Sequence, residues 1–234
     1  MADHRKTKLK SRRESPAPAG KRAYSTPKAV IFDIGRVIVR LEPQRAFAPL
    51  AAAMRTTVAQ STKPLSAEDA WEIIRADASW LDWQEGRLSP AQWHEHLMQR
   101  LQLSLSYGEF RDAWNRVLDP ELILAESLFE ELGARCRLAL LSNTDPIHAE
   151  CLEQRFAFVR HFPVRIYSWR VGLSKPSPVI YRKALDSLGV SASEALYIDD
   201  IKEFAFAARQ AGLDAIHFKT RRLLEAELER RQLR

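Results

Sequence analysis

The stretch AVIFDIGRVIV, residues 29–39, is typical of a buried strand that carries a carboxylate, Asp33, towards its C-terminal tip. Its β-branched and aromatic residues favour an extended, buried backbone. Burying a carboxylate is costly unless the charge is paired. A hydrophobic strand that ends in Asp33 and continues through Ile34, Gly35 and Arg36 therefore indicates a side chain presented to a ligand.

Three further apolar runs have the same character, and helical segments separate them. The predicted strands are 29–34, 137–142, 195–199 and 214–218, with a weaker fifth candidate at 162–169. Strands that alternate with helices are typical of a doubly wound α/β fold with a parallel sheet, whose ligands bind beyond the carboxyl ends of the strands. Four polar residues fall at those ends, namely Asp33, Ser142, Asp199 and Asp200.

The first two of these strands are too far apart in the sequence for one crossover helix to connect them. The insert between them, residues 42–118, has helical periodicity, with Ser66 and Ser89 as predicted N-caps. We interpret it as an all-helical cap over the site. Five of the six tryptophans lie in it, and they are expected to form a compact core rather than an aromatic platform for substrate: Trp71, Trp80, Trp83, Trp93 and Trp114.

The net charge of +6 belongs to the N-terminal segment rather than to the rest of the chain. Residues 1–28 carry nine basic and two acidic residues, a balance of +7, whereas the remainder carries 27 basic and 28 acidic residues, a balance of −1. The segment has no apolar period and is predicted to be a disordered basic tail. This distribution favours a solubilising extension over a nucleic-acid-binding arm.

Several features bear on where the protein works. No window approaches about 20 continuous apolar residues, so no membrane span is predicted, and the tail lacks the apolar region of a secretory signal. Cys136 and Cys151 have neither metal-site nor disulfide-framework spacing, which favours reduced thiols and a cytoplasmic location.

Residues 221–234 are predicted to form either a packed helix or a frayed charged tail, with an apolar face made of Leu223, Leu224 and Leu228. The oligomeric state stays open.

Four segments together form a pattern that is far more specific than any one of them. They are VIFDIGRVIV, LALLSNTD, GLSKPSP and ALYIDDIKEFAFAARQAG. In this order they resemble motifs one to four of the haloacid-dehalogenase (HAD) superfamily, and the flanking phrases resemble the subgroup that includes α-D-glucose-1-phosphate phosphatases. The resemblance implies a Rossmann-like core over 29–41 and 119–220, with a helical cap over 42–118.

The resemblance also implies a role for each motif residue. Asp33 would attack phosphorus and form an aspartyl-phosphate that water hydrolyses. Mg²⁺ would be held by the carboxylates of Asp33 and Asp200 and by the main-chain carbonyl of Gly35, while Lys175 would add a fixed positive charge. Ser142 and Asn143 would donate hydrogen bonds to phosphoryl oxygens. Asp199 would orient Lys175 or a metal-bound water. The implied substrate is a small phosphorylated metabolite, with sugar phosphates as the expected class.

These roles agree with the electrostatics of phosphoryl transfer. A phosphate monoester dianion repels an anionic nucleophile, so the site must neutralise charge before attack. Mg²⁺ prefers oxygen ligands, and the adjacent carboxylates of Asp199 and Asp200 are costly unless a cation is near. Fixed charges and hydrogen-bond donors supply most of the catalysis in phosphoryl transfer.

Three positions depart from the family pattern. Gly35 stands where most phosphatases of the superfamily have an aspartate that acts as general acid, an effect typically worth about 10²–10⁴-fold. Arg36 stands where Asn or Gly is usual, and its guanidinium could contact substrate or cap, or crowd the site. Phe204 replaces an Asp or Asn, which removes a partner of the metal site. The glucose-1-phosphate subgroup also has glycine at the first of these positions, and a hemiacetal leaving group needs the proton less.

Two alternatives to a phosphatase stay open from the sequence. Gly35, Arg36 and Phe204 together are compatible with a non-catalytic HAD-fold protein that only binds a phosphorylated ligand. A 2-haloacid dehalogenase would use the same aspartate to displace halide from carbon and would need no metal. The paired carboxylates Asp199 and Asp200 argue against the dehalogenase.

Overall fold

The computed structural model describes residues 26–54 and 65–234, and its centre is a five-stranded parallel sheet. The sheet strands are β1 (Ala29–Phe32), β4 (Arg137–Ser142), β5 (Val164–Tyr167), β6 (Ala195–Asp199) and β7 (Asp214–His217), in the spatial order β5-β4-β1-β6-β7. Two short strands, β2 (Val39–Leu41) and β3 (Leu118–Leu122), pair antiparallel where the insert leaves and rejoins the core. The predicted α/β fold is confirmed.

Helices cover both faces of the sheet. The core helices are α6 (Glu126–Gly133), α7 (Pro146–Arg155), α8 (Ser168–Val171), α9 (Pro178–Leu188), α10 (Lys202–Gln210) and α11 (Arg221–Arg230). Because successive strand residues point to opposite faces, Val30 and Phe32 pack with residues of α6, α7 and α11, whereas Ala29 and Ile31 pack with residues of α9 and α10. This double burial explains why β1 is continuously hydrophobic.

The insert forms a separate helical layer with its own core. Its helices are α1 (Pro43–Ala53), α2 (Ala67–Arg75), α3 (Trp80–Gln84), α4 (Pro90–Arg100) and α5 (Tyr107–Asn115). Ser66 and Ser89 cap α2 and α4, as the sequence pattern predicts, each accepting a hydrogen bond from the third residue of its helix. Trp83, Trp93 and Trp114 are fully buried in this layer.

The strand predicted over residues 29–34 ends two residues early, and the chain after it forms a turn. β1 ends at Phe32, and the chain then turns, with the backbone N–H groups of Ile38 and Val39 both donating to the carbonyl of Ile34. Arg36 takes up a left-handed conformation, with φ of 56°. Asp33 still donates its backbone N–H to the carbonyl of Ile198 in β6 at 2.9 Å, and the turn after it directs the chain towards the cap. The predicted fifth strand also ends early, at Tyr167, where α8 begins.

Both termini of the described chain pack against the core. Residues 1–25 of the predicted tail lie outside the described residues, but its boundary at residue 28 is wrong, because the backbone N–H of Lys28 donates to the carbonyl of Glu194 at 2.8 Å. At the other end, α11 is a packed helix with Leu224 and Leu228 buried. Leu223, predicted to share that apolar face, is exposed instead. None of the helices within 26–54 and 65–234 has the length and apolar composition needed to cross a bilayer.

Two leucines on α11 provide a matched test of this packing. Leu228 is 0% exposed and Leu223 is 54% exposed. We expect Leu228→Ala to lower the free energy of unfolding by about 2–5 kcal/mol, because it leaves a cavity under the sheet. Leu223→Ala should change it by no more than about 0.5 kcal/mol. Urea unfolding followed by circular dichroism measures both, and equal losses would show that α11 does not pack as described.

Candidate active site

Three neighbouring strands end at one edge of the sheet, and each delivers a polar side chain there. Asp33 follows β1, Ser142 ends β4 and Asp199 ends β6. β1 lies between the other two strands and runs parallel to both. Their carboxyl ends therefore meet, and residues far apart in the sequence become neighbours.

A buried lysine completes this cluster of charges. The Nζ atom of Lys175 lies 2.9 Å from Asp33 Oδ1 and 2.8 Å from Asp199 Oδ2. Burial by itself would lower the pKa of Lys175, but these two carboxylates raise it above its ordinary value. The side chain is thus a permanent positive charge in contact with Asp33.

Neighbouring groups fix the position of Lys175. The side chain of Asn143 accepts a hydrogen bond from the Lys175 backbone N–H at 2.8 Å and donates one to the Lys175 carbonyl at 3.0 Å. The ammonium group also lies 5.1 Å from the ring centre of Phe204 and 5.8 Å from that of Tyr197, within cation–π range. The carboxamide of Asn143 therefore contacts the lysine loop, where the sequence had suggested a contact with substrate.

Asp199 is fully buried, and donors surround its carboxylate. Oδ2 accepts hydrogen bonds from Lys175 Nζ and from the hydroxyl of Tyr197, and Oδ1 accepts one from the backbone N–H of Ile201 at 2.7 Å. Hydrogen bonds to a carboxylate stabilise its charged form. Asp199 consequently holds Lys175 in place from below the site.

The other two carboxylates are short of compensating charge. Burial raises the pKa of Asp33 to about 6, an effect that Lys175 opposes and Asp199 reinforces. Burial also raises the pKa of Asp200, again with a contribution from Asp199, while Arg36 and Lys175 act in the opposite direction. Two acidic groups with raised pKa values beside a third carboxylate favour a bound cation, because added positive charge stabilises their ionised forms.

The donor set fits a hard divalent cation. One carboxylate oxygen from each of Asp33, Asp199 and Asp200 lies within 4.8 Å of the others. Since the oxygens of Asp199 already accept three hydrogen bonds, Asp33 and Asp200 are the carboxylates better placed to bind metal. Mg²⁺ is commonly bound through one or two carboxylates plus waters and substrate phosphate. The residues present therefore fit Mg²⁺.

A cavity of about 280 Å³ lies between the strand ends and the cap. The sequence-predicted site residues that line it are Asp33, Gly35, Ser142, Asn143, Lys175 and Asp200, and only Asp199 lies beneath them. From the cap side, four aromatic residues line the cavity, and we call them the aromatic wall: Phe47, Trp71, Trp80 and Trp114. All five cap tryptophans belong to the cap core, as expected, and three of them, Trp71, Trp80 and Trp114, also line the cavity.

The three departures from the family pattern all lie at this cavity. Gly35 lines it without a side chain, and a Cβ atom there would lie 3.0 Å from Leu41 Cδ1. Arg36 lines the entrance with an exposed side chain. Phe204 does not simply remove a polar partner, because its ring supports the ammonium group of Lys175.

Polar bridges between cap and core position the aromatic wall above the carboxylates. The indole N–H of Trp114 in α5 donates to Asp145 Oδ2 at 3.1 Å, at the start of α7. The ring of His148 stacks on Trp114 with its Nε2 3.0 Å from the Trp114 carbonyl oxygen, and its Nδ1 lies 2.7 Å from Asp145 Oδ2. A second bridge runs from the Ser168 hydroxyl to the carbonyl of Gln84 at 2.7 Å.

Sequence reasoning missed several of these contributors. Tyr197 carried a signal, because it precedes Asp199 by two residues in a strand and must therefore point to the same face. Asp145 and His148 have the spacing of a helix cap and its first-turn partner. Their contact with Trp114 had no such signal, since it joins α5 to α7 across the boundary between cap and core.

One family of known proteins matches most of this chain. The sequence model of the haloacid dehalogenase-like hydrolases matches residues 27–212. The chain belongs to this family. The match extends from the start of β1 to the end of α10, so it includes every strand that contributes a side chain to the cavity.

Among solved structures, this HAD-like hydrolase resembles a HAD family enzyme from Bacteroides thetaiotaomicron, crystallised with magnesium and inorganic phosphate. The TM-score is 0.68 at 20% identity, over 83% of this chain and 96% of that one. Among curated proteins, a phosphorylated carbohydrates phosphatase of Thermotoga maritima is 26% identical over 52% of this chain and 60% of its own length. A phosphoserine phosphatase of Thermus thermophilus is 34% identical over 48% and 45%, respectively. The chain thus spans less than two thirds of these curated relatives.

The Asp145–His148 pair gives this HAD-like hydrolase a testable pH dependence of stability. Burial alone would raise the pKa of Asp145 and lower that of His148. The attraction between the two charges outweighs burial, so the pKa of Asp145 is lowered and the pKa of His148 is raised. The pair therefore contributes fully between the unfolded-state values of about 3.9 and about 6.5. Its contribution is lost as pH rises through the raised pKa of His148.

We expect the difference in Tm between the natural protein and His148→Gln to be larger at pH 6 than at pH 9. Each 1 kcal/mol of lost coupling corresponds to about 2–4 °C. Differential scanning fluorimetry in the presence of a chelator measures the difference without a contribution from bound metal. A difference that is the same at both pH values would contradict an ion pair between the two side chains.

Proposed function

We propose that this protein is a Mg²⁺-dependent phosphatase that hydrolyses small phosphomonoesters through an aspartyl-phosphate intermediate. The observation that carries the proposal is the contact between Asp33 and Lys175, with Asp200 within reach of the same ion. A nucleophilic carboxylate, a permanent cation and a second carboxylate share one cavity. Phosphoryl transfer needs this combination, because negative charge must be neutralised on both the nucleophile and the transferred group.

Asp33 is the nucleophile in this proposal. One of its carboxylate oxygens forms a bond to phosphorus while the bond from phosphorus to the ester oxygen breaks, and the leaving oxygen keeps the electron pair. Water then attacks phosphorus, the bond to the Asp33 oxygen breaks, and inorganic phosphate is released. The ammonium group of Lys175 stays beside Asp33 throughout, because it donates a hydrogen bond to Asp199 while Asn143 holds the lysine backbone.

Asp33, Asp200 and the carbonyl of Gly35 would hold Mg²⁺, which, when bound, neutralises charge on the phosphoryl oxygens. The hydroxyl of Ser142, at the end of β4, lines the same cavity and would donate a hydrogen bond to a phosphoryl oxygen. The proposed role of Asn143 changes from substrate contact to positioning of the Lys175 backbone.

Two alternatives fit the cavity less well. A protein that only binds a phosphorylated ligand would have no need for a buried carboxylate whose charge is as costly as that of Asp33. A 2-haloacid dehalogenase would have no need for Asp200 beside it. The similarity to a phosphorylated carbohydrates phosphatase and to a phosphoserine phosphatase further supports phosphomonoesters as the substrate class. Sugar phosphates remain one candidate group within that class.

The nucleophile can be tested by phosphate release from a panel of phosphomonoesters, with Mg²⁺ and with a chelator. We expect turnover only with Mg²⁺. Asp33→Asn should lower kcat by at least about 10³-fold, since a neutral carboxamide replaces the attacking carboxylate. Turnover that survives in Asp33→Asn would rule out the proposed nucleophile. Ligand-induced stabilisation without any turnover would favour the binding protein, and chloride release from chloroacetate would favour the dehalogenase.

The metal site has its own test. Asp200→Asn should raise the Mg²⁺ concentration for half-maximal activity by at least about tenfold, because one anionic ligand is lost. Glu203→Gln is the matched control, since Glu203 is an exposed carboxylate in the first turn of α10. An unchanged Mg²⁺ requirement in Asp200→Asn would remove that residue from the metal site.

A further inference from the structure

The cavity has two chemically different ends. The strand end is charged, with Asp33, Lys175 and Asp200. The cap end is apolar, and apart from Gln84 every described residue of α1–α5 that lines it is hydrophobic, as is every lining residue of the two short strands at its base. With the phosphoryl group against the carboxylates and Lys175, the rest of the substrate faces this apolar end.

The aromatic wall is a continuous surface. The ring centres of Phe47 and Trp71 are 5.0 Å apart, those of Trp71 and Trp80 are 5.4 Å apart, and those of Trp80 and Trp114 are 6.5 Å apart. These rings hold one another in place through edge-on and tilted contacts. Such a surface favours a flat, apolar group, which gains both apolar burial and ring contacts.

The same surface disfavours a sugar ring. The indole N–H of Trp114 already donates to Asp145, and both ring nitrogens of His148 face protein oxygens. Hydroxyl groups pressed against the wall would lose hydrogen bonds to water and gain few in return, which costs affinity. Among the described residues of the cap helices that line the cavity, the side chains left to hydrogen-bond such a group are Gln84 and the indole N–H donors of Trp71 and Trp80.

Gly35 provides an independent reason for the same substrate class. It places no proton donor beside the ester oxygen, and Leu41 occupies the space next to it. Without a proton from this position, the leaving oxygen carries more negative charge as it departs. A phenolic oxygen, with a pKa of about 10 as in tyrosine, does so far more readily than the oxygen of an ordinary alcohol.

We propose that the preferred substrates are aryl phosphates, in which the phosphate is esterified to a small phenol. This inference rests on the proposed phosphatase function. In the first step the bond between Asp33 and phosphorus forms, the bond between phosphorus and the aryl oxygen breaks, and the phenolate keeps the electron pair. The phenolate takes its proton from water as it leaves the cavity. The aromatic wall receives the ring, and the absence of an acid at position 35 costs little because phenolate is a good leaving group.

Three substrates separate the two parts of this inference. Phenyl phosphate has both the ring and the good leaving group, benzyl phosphate has the ring on an alcohol, and glucose 1-phosphate has a good leaving group on a polar ring. We expect kcat/KM in Mg²⁺ to be at least about tenfold higher for phenyl phosphate than for either of the others. Hydrolysis of glucose 1-phosphate at an equal or higher kcat/KM would overturn the inference and leave the phosphatase proposal intact.

A binding measurement tests the wall without any turnover. Phenylphosphonate and methylphosphonate share the phosphonate group and cannot be cleaved as esters. Isothermal titration of the full chain with Mg²⁺ should show phenylphosphonate binding at least about tenfold more tightly. Equal affinities would overturn the inference even if every ester were hydrolysed. Tighter phenylphosphonate binding without any turnover would support the role of the wall in binding but would overturn the phosphatase, and with it aryl phosphates as substrates.

Two tryptophan variants provide the matched control. Trp71→Leu removes one ring of the wall and should lower the preference for phenylphosphonate by roughly 2–10-fold. Trp83→Leu makes the same change in the cap core, where Trp83 stacks on Trp93 outside the cavity lining. It should leave the preference unchanged even if it destabilises the cap. An equal loss of preference in both variants would overturn the role of the wall.

A separate double variant tests whether the leaving group needs a proton. Gly35→Asp, combined with Leu41→Ala to make space for the new side chain, places an acid beside the ester oxygen. It should raise kcat for benzyl phosphate relative to phenyl phosphate, because only the alcohol needs the proton. A ratio unchanged in a variant that folds and retains turnover would overturn the leaving-group part of the inference.

Discussion

The ammonium group of Lys175 lies between two buried carboxylates, and the arrangement of the site depends on this contact. Taken singly, Asp33 or Asp199 would be an expensive charge at the end of a buried strand. Together with Lys175 they compensate one another, and the surplus negative charge that remains, including that of Asp200, attracts a divalent cation. The parallel sheet makes this possible, because only adjacent strands that point the same way bring their carboxyl ends to one edge. Asn143, Tyr197 and Phe204 add no charge to the cluster, but they define where Lys175 can lie.

The cap adds a different kind of constraint. Its helices form a core of their own, yet several of its aromatic rings face the carboxylates and not only one another. The hydrogen bond from Trp114 to Asp145 and that from Ser168 to Gln84 tie this layer to the core at two points. As a result the cavity is charged at the sheet and apolar at the cap. In the proposed function, the core supplies the chemistry and the cap supplies the surface that the rest of the substrate meets.

The motif residues were predictable because their signal is local. Asp33, Ser142 and the pair Asp199 and Asp200 follow short apolar runs, and a strand end is visible in the sequence without knowledge of the fold. The extent of β1 was less predictable. Ile34, Val37 and Ile38 are as hydrophobic as the residues before Asp33, yet they lie in a turn. Burial in a loop and burial in a strand select the same residue types. The buried face of α11 was misjudged for a related reason: Leu223 and Leu224 are adjacent, and only packing decides which one faces the sheet.

The sequence by itself determined the α/β class, the helical insert and the order of the residues proposed to carry the chemistry, because apolar periodicity and strand-end polar residues are local properties of the chain. Tertiary structure alone decided that Phe204 supports Lys175, that Asn143 contacts the Lys175 backbone, and that Trp71, Trp80 and Trp114 line the cavity. Each of these is a contact between elements distant in the sequence. A tryptophan at helical spacing looks the same whether it faces a core or a ligand, and the difference arises only when the cap is placed over the sheet.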